Sequence, residues 1–183
     1  WASALRATDL PTFRLIWGTP AFLCTTLGYG MVAFMSYASS YWGAPYAERV
    51  FGIAKADLGL TIGGTGALAG FLGVIIGGRV ADALFARGPA GRLYVTLFGL
   101  LAPILPMIGA YTTDSFVAFL AYAFIAHVMS SSALGGAAAT SQMLVLPRMR
   151  GTATATFFLA TTLVGLALGP FMAGYVSATN NDD

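Results

Sequence analysis

Long apolar stretches alternate with short polar ones along this chain, and their lengths set the first expectation. A helix needs about 20 mostly apolar residues to cross a hydrocarbon core roughly 30 Å thick. Five stretches reach that length, at about 20–42, 58–76, 93–111, 116–146 and 152–176. None alternates apolar and polar residues as a membrane β-strand does, so the pattern predicts an all-α, polytopic helical bundle rather than a barrel. Residues 1–19 read as a cytoplasmic linker or interfacial segment, 20–178 as the transmembrane bundle, and 179–183 as a truncated extracytoplasmic loop.

Composition sharpens this. Hydrophobic residues make up 57% of the chain and charged ones 9%, against about 25% charged in a soluble domain. So little charge could not cover a surface facing water. The 23 glycines agree, because small residues let membrane helices approach closely. Cys24 is the one cysteine and His127 the one histidine. A disulfide framework, a metal site and metalloenzyme chemistry are therefore not expected, and no cofactor is called for. No dense basic cluster points to nucleic acid.

Charge gives the expected orientation. Arg6 and Arg14 precede the first stretch, Arg79, Arg87 and Arg92 separate the second from the third, and Arg148 and Arg150 separate the fourth from the fifth. With five spans these seven bases share one side and leave Arg49 and Lys55 on the other. That asymmetry puts the N-terminus in the cytoplasm. Trp17, Trp42, Tyr46, Tyr94, Tyr111 and Tyr175 lie near stretch ends, where interfacial aromatics anchor helices. The chain starts at Trp1 with no signal-peptide pattern, so it is expected to begin inside a longer protein. Transporters are often built from three-helix repeats, and five spans imply a sixth beyond the last residue.

Two stretches carry patterns beyond hydrophobicity. In the second, Gly59, Gly63, Gly66, Gly70, Gly73 and Gly77 recur at spacings of four and three. At about 100° per residue they share roughly 80° of arc, a helix face without side chains on which another helix can pack closely or rock. Static packing is the plainer alternative. Gly64-Thr65-Gly66 lies inside this apolar helix, which rules out a dinucleotide-binding loop. In the fourth stretch, His127 stands eleven residues after Phe116, or roughly 16 Å at 1.5 Å per residue, close to the membrane midplane. Ser130, Ser131, Ser141 and Gln142 fall on its side of the helix. An ionisable residue at that depth is a functional candidate, as a ligand for an anionic head group or a proton carrier, unless it simply bonds a neighbouring helix.

Two more groups stand near span ends. Tyr37, Ser40, Tyr41 and Trp42 can line a cavity for an amphiphile, with Glu48 and Arg49 just outside; an aromatic belt is the alternative for Trp42 and Tyr46. At the start of the second cytoplasmic loop, Gly78 and Asp82 precede Arg87 and Arg92. A carboxylate beside several guanidiniums can make charge-assisted bonds that close that side. These and Glu48-Arg49 are the candidate gating residues.

At this loop the sequence resembles the major facilitator superfamily, whose signature there is Gly-x-x-x-Asp-Arg followed by a glycine and basic residues. Gly78 and Asp82 match, while Ala83 and Phe85 replace the usual Arg and Gly. Tyr41-Trp42-Gly43-Ala44-Pro45 is similar to the end of helix seven in Spinster-type transporters. Pro147-Arg148-Met149-Arg150-Gly151-Thr152-Ala153 resembles the opening of their helix eleven, and Gly165-Leu166-Ala167-Leu168-Gly169-Pro170 a later part of it. The resemblance implies helices seven to eleven of the C-terminal half. It also implies alternating access against a missing N-terminal six-helix half, a proton-coupled lysolipid- or sphingolipid-phosphate-like substrate, and the inner membrane of a bacterium. On that reading His127, Ser131, Gln142, Tyr37, Tyr41 and Trp42 are the substrate-binding candidates, and the partners are membrane lipids and a small amphiphile. The alternatives are a drug or organic-anion exporter of the same fold, or a non-transporting receptor or scaffold. A membrane enzyme is disfavoured, since one histidine without a deeply placed carboxylate makes no catalytic set.

Overall fold

The structure, a computed structural model, describes residues 13–180 except Pro89, and only the backbone of Lys55 and Asn180. Residues 1–12, with Arg6 and most of the expected linker, and residues 181–183 of the expected outer loop lie outside the described residues. Among the described residues there is no strand, and five helices are long and apolar enough to cross a membrane.

The first span is α1 (Pro20–Phe51) and the second α2 (Lys55–Phe85). The third has two halves, α3 (Gly91–Leu101) and α4 (Ile104–Thr112), and the fourth is α5 (Phe116–Met143). A 3-10 turn (Pro147–Met149) leads into the fifth, made of α6 (Arg150–Thr162), a π-helical segment (Leu163–Leu168) and α7 (Gly169–Asn180).

Local chemistry explains these bounds. Pro20 opens α1 at a position where its missing N–H costs nothing. The helix then runs past the expected end at Trp42, through Pro45, to Phe51. Proline inside a membrane helix is tolerated where neighbouring helices and side chains meet the freed backbone group. Gly52 ends it with φ 68°, a left-handed conformation glycine adopts freely, and its N–H reaches the Glu48 carbonyl at 3.1 Å. Glu48 and Arg49 therefore occupy the last turn of the helix rather than a loop beyond it. Likewise α2 continues to Phe85, so Gly78 and Asp82 are helical and do not start the loop. Pro103 breaks the third span, because its ring cannot continue the hydrogen-bond ladder of α3. The π segment lies just before Pro170, which cannot donate to the carbonyl four residues back.

Antiparallel order is visible in the two cores. Ile16, Phe22, Ala137, Met149, Ala153 and Phe157 pack where the first span begins, the fourth ends and the fifth begins. Ala47, Leu58, Ala110 and Phe119 pack at the other end of the bundle. The bases of residues 79–92 and 148–150 thus share the end that holds Arg14. α5 contacts each of the other four spans. Outward-facing apolar side chains are large and numerous, with Leu60 82%, Leu105 76% and Val117 76% exposed. Such a surface suits hydrocarbon, whereas water would make it an association site.

Candidate functional site

The glycine stripe of α2 divides into two parts. At the basic end of the bundle it packs against α5. A Cβ on Gly73 would stand 2.8 Å from Ser131 Cβ, and one on Gly77 2.6 Å from Ser132 Cβ and into the Ser132 backbone. Gly70 is looser, its nearest neighbour being Ser131 Oγ at 3.9 Å. Gly59, Gly63 and Gly66 have nothing within 4 Å. They form a wall of a cavity of about 390 Å³ between the first four spans. The stripe is thus a tight contact over only one part of its length, which corrects the expectation of a uniform packing face.

His127 lines that cavity opposite the open glycines, with Ser39 and Ser40 of α1, Thr65 of α2 and Tyr111 of α4. The hydroxyls of Ser39 and Thr65 already donate: Ser39 Oγ to Met107 Sδ at 3.6 Å and Thr65 Oγ1 to the Thr61 carbonyl at 2.5 Å. His127 Nδ1 is 2.9 Å from the Ala123 carbonyl one turn earlier. A carbonyl only accepts, so Nδ1 carries the hydrogen there and Nε2 is left for a ligand. The rest of the lining is apolar, and it includes no Lys, Arg, Asp or Glu. Beyond it, Tyr46, Phe51, Tyr111, Phe116 and Phe119 form an aromatic cluster with ring centroids 4.8–6.3 Å apart. Tyr46 Oη donates to the Tyr111 carbonyl at 3.1 Å and ties α1 to α4.

A second cavity, of about 240 Å³, continues along the same faces of α1 and α5 toward the basic end and is closed by the fifth span. Tyr37 and Ser131 line it, with Ser36, Ser130 and Thr161. Ser36 Oγ and Ser130 Oγ, 3.3 Å apart, bridge α1 and α5 between the two cavities.

The six residues expected to bind substrate are therefore not assembled in one place. His127 lies in the larger cavity, and Tyr37 and Ser131 in the smaller. Tyr41 and Trp42 border a shallow groove on the fifth span, where Trp42 Nε1 donates to the Pro170 carbonyl at 2.9 Å. That bond engages the indole in holding two spans together. Gln142 lies fifteen residues from His127, about 22 Å along the helix at 1.5 Å per residue, so a shared helix face does not place it in a shared site. Ser141 is fully buried and donates to the Ala138 carbonyl at 2.7 Å. Ser40, expected to line a cavity, does line the larger one, whereas sequence reasoning missed Ser36, Ser39 and Thr65. The signal was present, because the three serines recur at helical spacing on α1 and Thr65 sits among the open glycines.

Of the expected gating residues, Asp82 and Arg92 meet. Arg92 Nη2 donates to Asp82 Oδ1 at 3.0 Å, while Nη1 contacts Met143 Sδ at 3.0 Å and the guanidinium lies 4.2 Å from the Phe85 ring centroid. Arg92 thus joins the ends of the second and fourth spans to the start of the third. Gly78 faces Gly135 of α5, Arg87 is exposed in the turn after α2, and Arg49 borders a groove on α1 that Trp42 and Tyr46 also line. Glu48 is half-buried on the last turn of α1. Among the described residues no group of three or more His, Cys, Asp or Glu could hold a metal ion.

Comparison with known proteins gives this arrangement a setting. No family model matches the chain. It is 28% identical to an MFS-type efflux pump of Mycolicibacterium smegmatis over 90% of its length and 38% of the relative's. It is also 28% identical to protein spinster homolog 1 of Xenopus laevis, over 94% of this chain and 37% of that protein. A crystal structure of a bacterial homolog to the human lysosomal transporter Spinster, inward-facing and unoccupied, superposes with a TM-score of 0.79 and 28% identity. It covers 94% of this chain and 38% of that one. The chain spans less than two fifths of the length of these relatives.

Proposed function

We propose that this chain, which is similar to part of an MFS-type efflux pump and of Spinster-type transporters, forms one wall of a secondary transporter that moves an amphiphilic, lysolipid-like substrate by alternating access. The carrying observation is the His127 cavity, which brings an imidazole and the hydroxyls of Ser39, Ser40 and Thr65 into the interior of a bundle whose outward-facing side chains are largely apolar. Polar groups at that depth are costly unless they meet partners. A transported head group would meet them. The apolar remainder of the lining suits an acyl chain, and the volume falls in the range of about 300–1,000 Å³ usual for small-molecule sites.

In this reading the partner surface is an N-terminal six-helix half, transport is proton-coupled, and the basic end of the bundle faces the cytoplasm of a bacterial cell. The experiment is flux of a fluorescent lysolipid in proteoliposomes containing the complete transporter. Flux should depend on His127, and His127→Ala flux equal to wild type would remove the reading. The similarity to an efflux pump favours a second reading, export of drugs or organic anions. Flux of such compounds but of no lysolipid would select it.

A further inference from the structure

The hydrogen-bonding sense of the larger cavity is one-sided. Three of its polar side chains have spent their hydrogens on the protein: Thr65 on the carbonyl of Thr61, Ser39 on the sulfur of Met107 or the hydroxyl of Tyr111, and His127 Nδ1 on the carbonyl of Ala123. What each can still offer a ligand is a lone pair, on Thr65 Oγ1, on Ser39 Oγ and on the imidazole Nε2. The Ser40 hydroxyl can turn either way, and that of Tyr111, which can accept from Ser39, keeps its own hydrogen to donate. The lining includes no cation to meet an anionic head group and no carboxylate to steady an imidazolium.

A phosphate or carboxylate brings acceptors only. Placed here it would face lone pairs, with its charge stripped of water and unpaired, which is the costly case in an apolar surround. A polyol reverses the match, since each hydroxyl donates to one of the waiting acceptors and hands its own oxygen to Ser40 or Tyr111. We propose that this cavity selects an uncharged, hydroxyl-bearing amphiphile of the monoacylglycerol type, held by His127 Nε2 and Thr65 Oγ1, and that it rejects the anionic phosphate analogue with the same chain. The proposal rests on the amphiphile-transport reading and narrows it to a head-group class. Its apolar half rests on Leu58, Ile62, Leu120 and Phe124, which line the same cavity.

The test is equilibrium binding of radiolabelled monoacylglycerol and lysophosphatidic acid of equal chain length to the complete, detergent-solubilised protein. Wild type should bind the monoacylglycerol at least roughly tenfold more tightly. His127→Phe and Thr65→Val should each weaken it roughly five- to tenfold, as expected for one lost hydrogen bond. Ala67 also lines the cavity, and Ala67→Arg adds the missing fork of donors. It should shift preference toward lysophosphatidic acid, a gain that a misfolded variant cannot produce. Equal or tighter binding of the phosphate lipid to wild type overturns the proposal, as does unchanged monoacylglycerol binding in both His127→Phe and Thr65→Val. Selective monoacylglycerol binding with no flux of any amphiphile would keep the cavity's chemistry and remove the transport reading. Lysolipid flux without head-group selectivity would do the reverse.

Discussion

Arg92 is a single side chain with three jobs: a charge partner in Asp82, a sulfur in Met143 and a ring in Phe85. The Asp82 side chain is 74% exposed, and that of Arg92 22%. Water and salt screen a pair with one partner so open, and such pairs contribute about 0–1 kcal/mol. Removing Asp82 should therefore cost little, whereas removing Arg92 also strips packing from Phe85 and Met143. Thermal denaturation of the purified protein should show Asp82→Ala close to wild type and Arg92→Ala clearly lower. A larger loss for Asp82→Ala would mean that charge, not packing, holds this corner. Trp42 makes a comparable case. Its indole hydrogen is committed to the Pro170 carbonyl, so Trp42→Phe should cost about 1 kcal/mol in stability. Lysolipid binding should stay near wild type, because Trp42 does not line the His127 cavity. A binding loss at unchanged melting temperature would return Trp42 to the substrate residues. His127 was legible as a candidate because it is the lone histidine at mid-span. Its hydrogen bond to Ala123 was not, since a sequence does not give the rotamer that points Nδ1 back along its own helix.

At the scale of elements, α2 carries two functions on one face. Toward the basic end its backbone touches α5 at Gly73 and Gly77, and toward the other end it leaves a cavity. Close packing and open space make opposite demands on a substituted residue. Gly77→Leu should destabilise the bundle, with overpacking costing typically 1–3 kcal/mol, because a Cβ there enters the Ser132 backbone. Gly63→Leu should fold normally, since nothing lies within 4 Å, and should lose substrate binding by filling the cavity. Melting temperature and lysolipid binding measured on both variants separate the two. Normal melting for Gly77→Leu would sink the division, and so would unaffected binding by Gly63→Leu. The stripe itself was plain in the sequence, because a period of three and four residues defines one face. Which part met a helix and which met space was not, because that depends on how α2 and α5 diverge. The spans were legible from hydrophobicity alone, while their ends were not. The first span was expected to end at about Trp42 with Glu48-Arg49 just outside it, yet α1 continues to the left-handed Gly52. Similarly, the polar letters Gly78 and Asp82 lie on helix that extends past the apolar run.

At the scale of the whole molecule, two cavities stack along the seam between α1 and α5. The larger is walled by the second and third spans and the smaller by the fifth, with the Ser36–Ser130 contact between them. The order of these cavities has a functional sense only if the ends of the bundle face different compartments. The two cores fix which ends lie together, and the bases of residues 79–92 and 148–150 fall at the end of Arg14. Positive charge is retained on the cytoplasmic side during insertion, so that end should face the cytoplasm and the aromatic cluster the outside. The check uses single cysteines in the complete protein with Cys24 replaced by serine. Ala86, exposed just after α2, and Ala56, exposed in the first turn of α2, sit at opposite ends of one helix. An impermeant thiol reagent added to intact cells should label the cysteine of Ala56→Cys and leave that of Ala86→Cys untouched until the membrane is opened. Labelling of Ala86→Cys from outside, with Ala56→Cys protected, would invert the molecule. The His127 cavity would then lie nearer the cytoplasm, and the Arg92–Asp82 corner would close the outer side. Labelling of both from outside would mean that α2 does not cross the membrane, and with it would go the five-span count on which the charge argument depends.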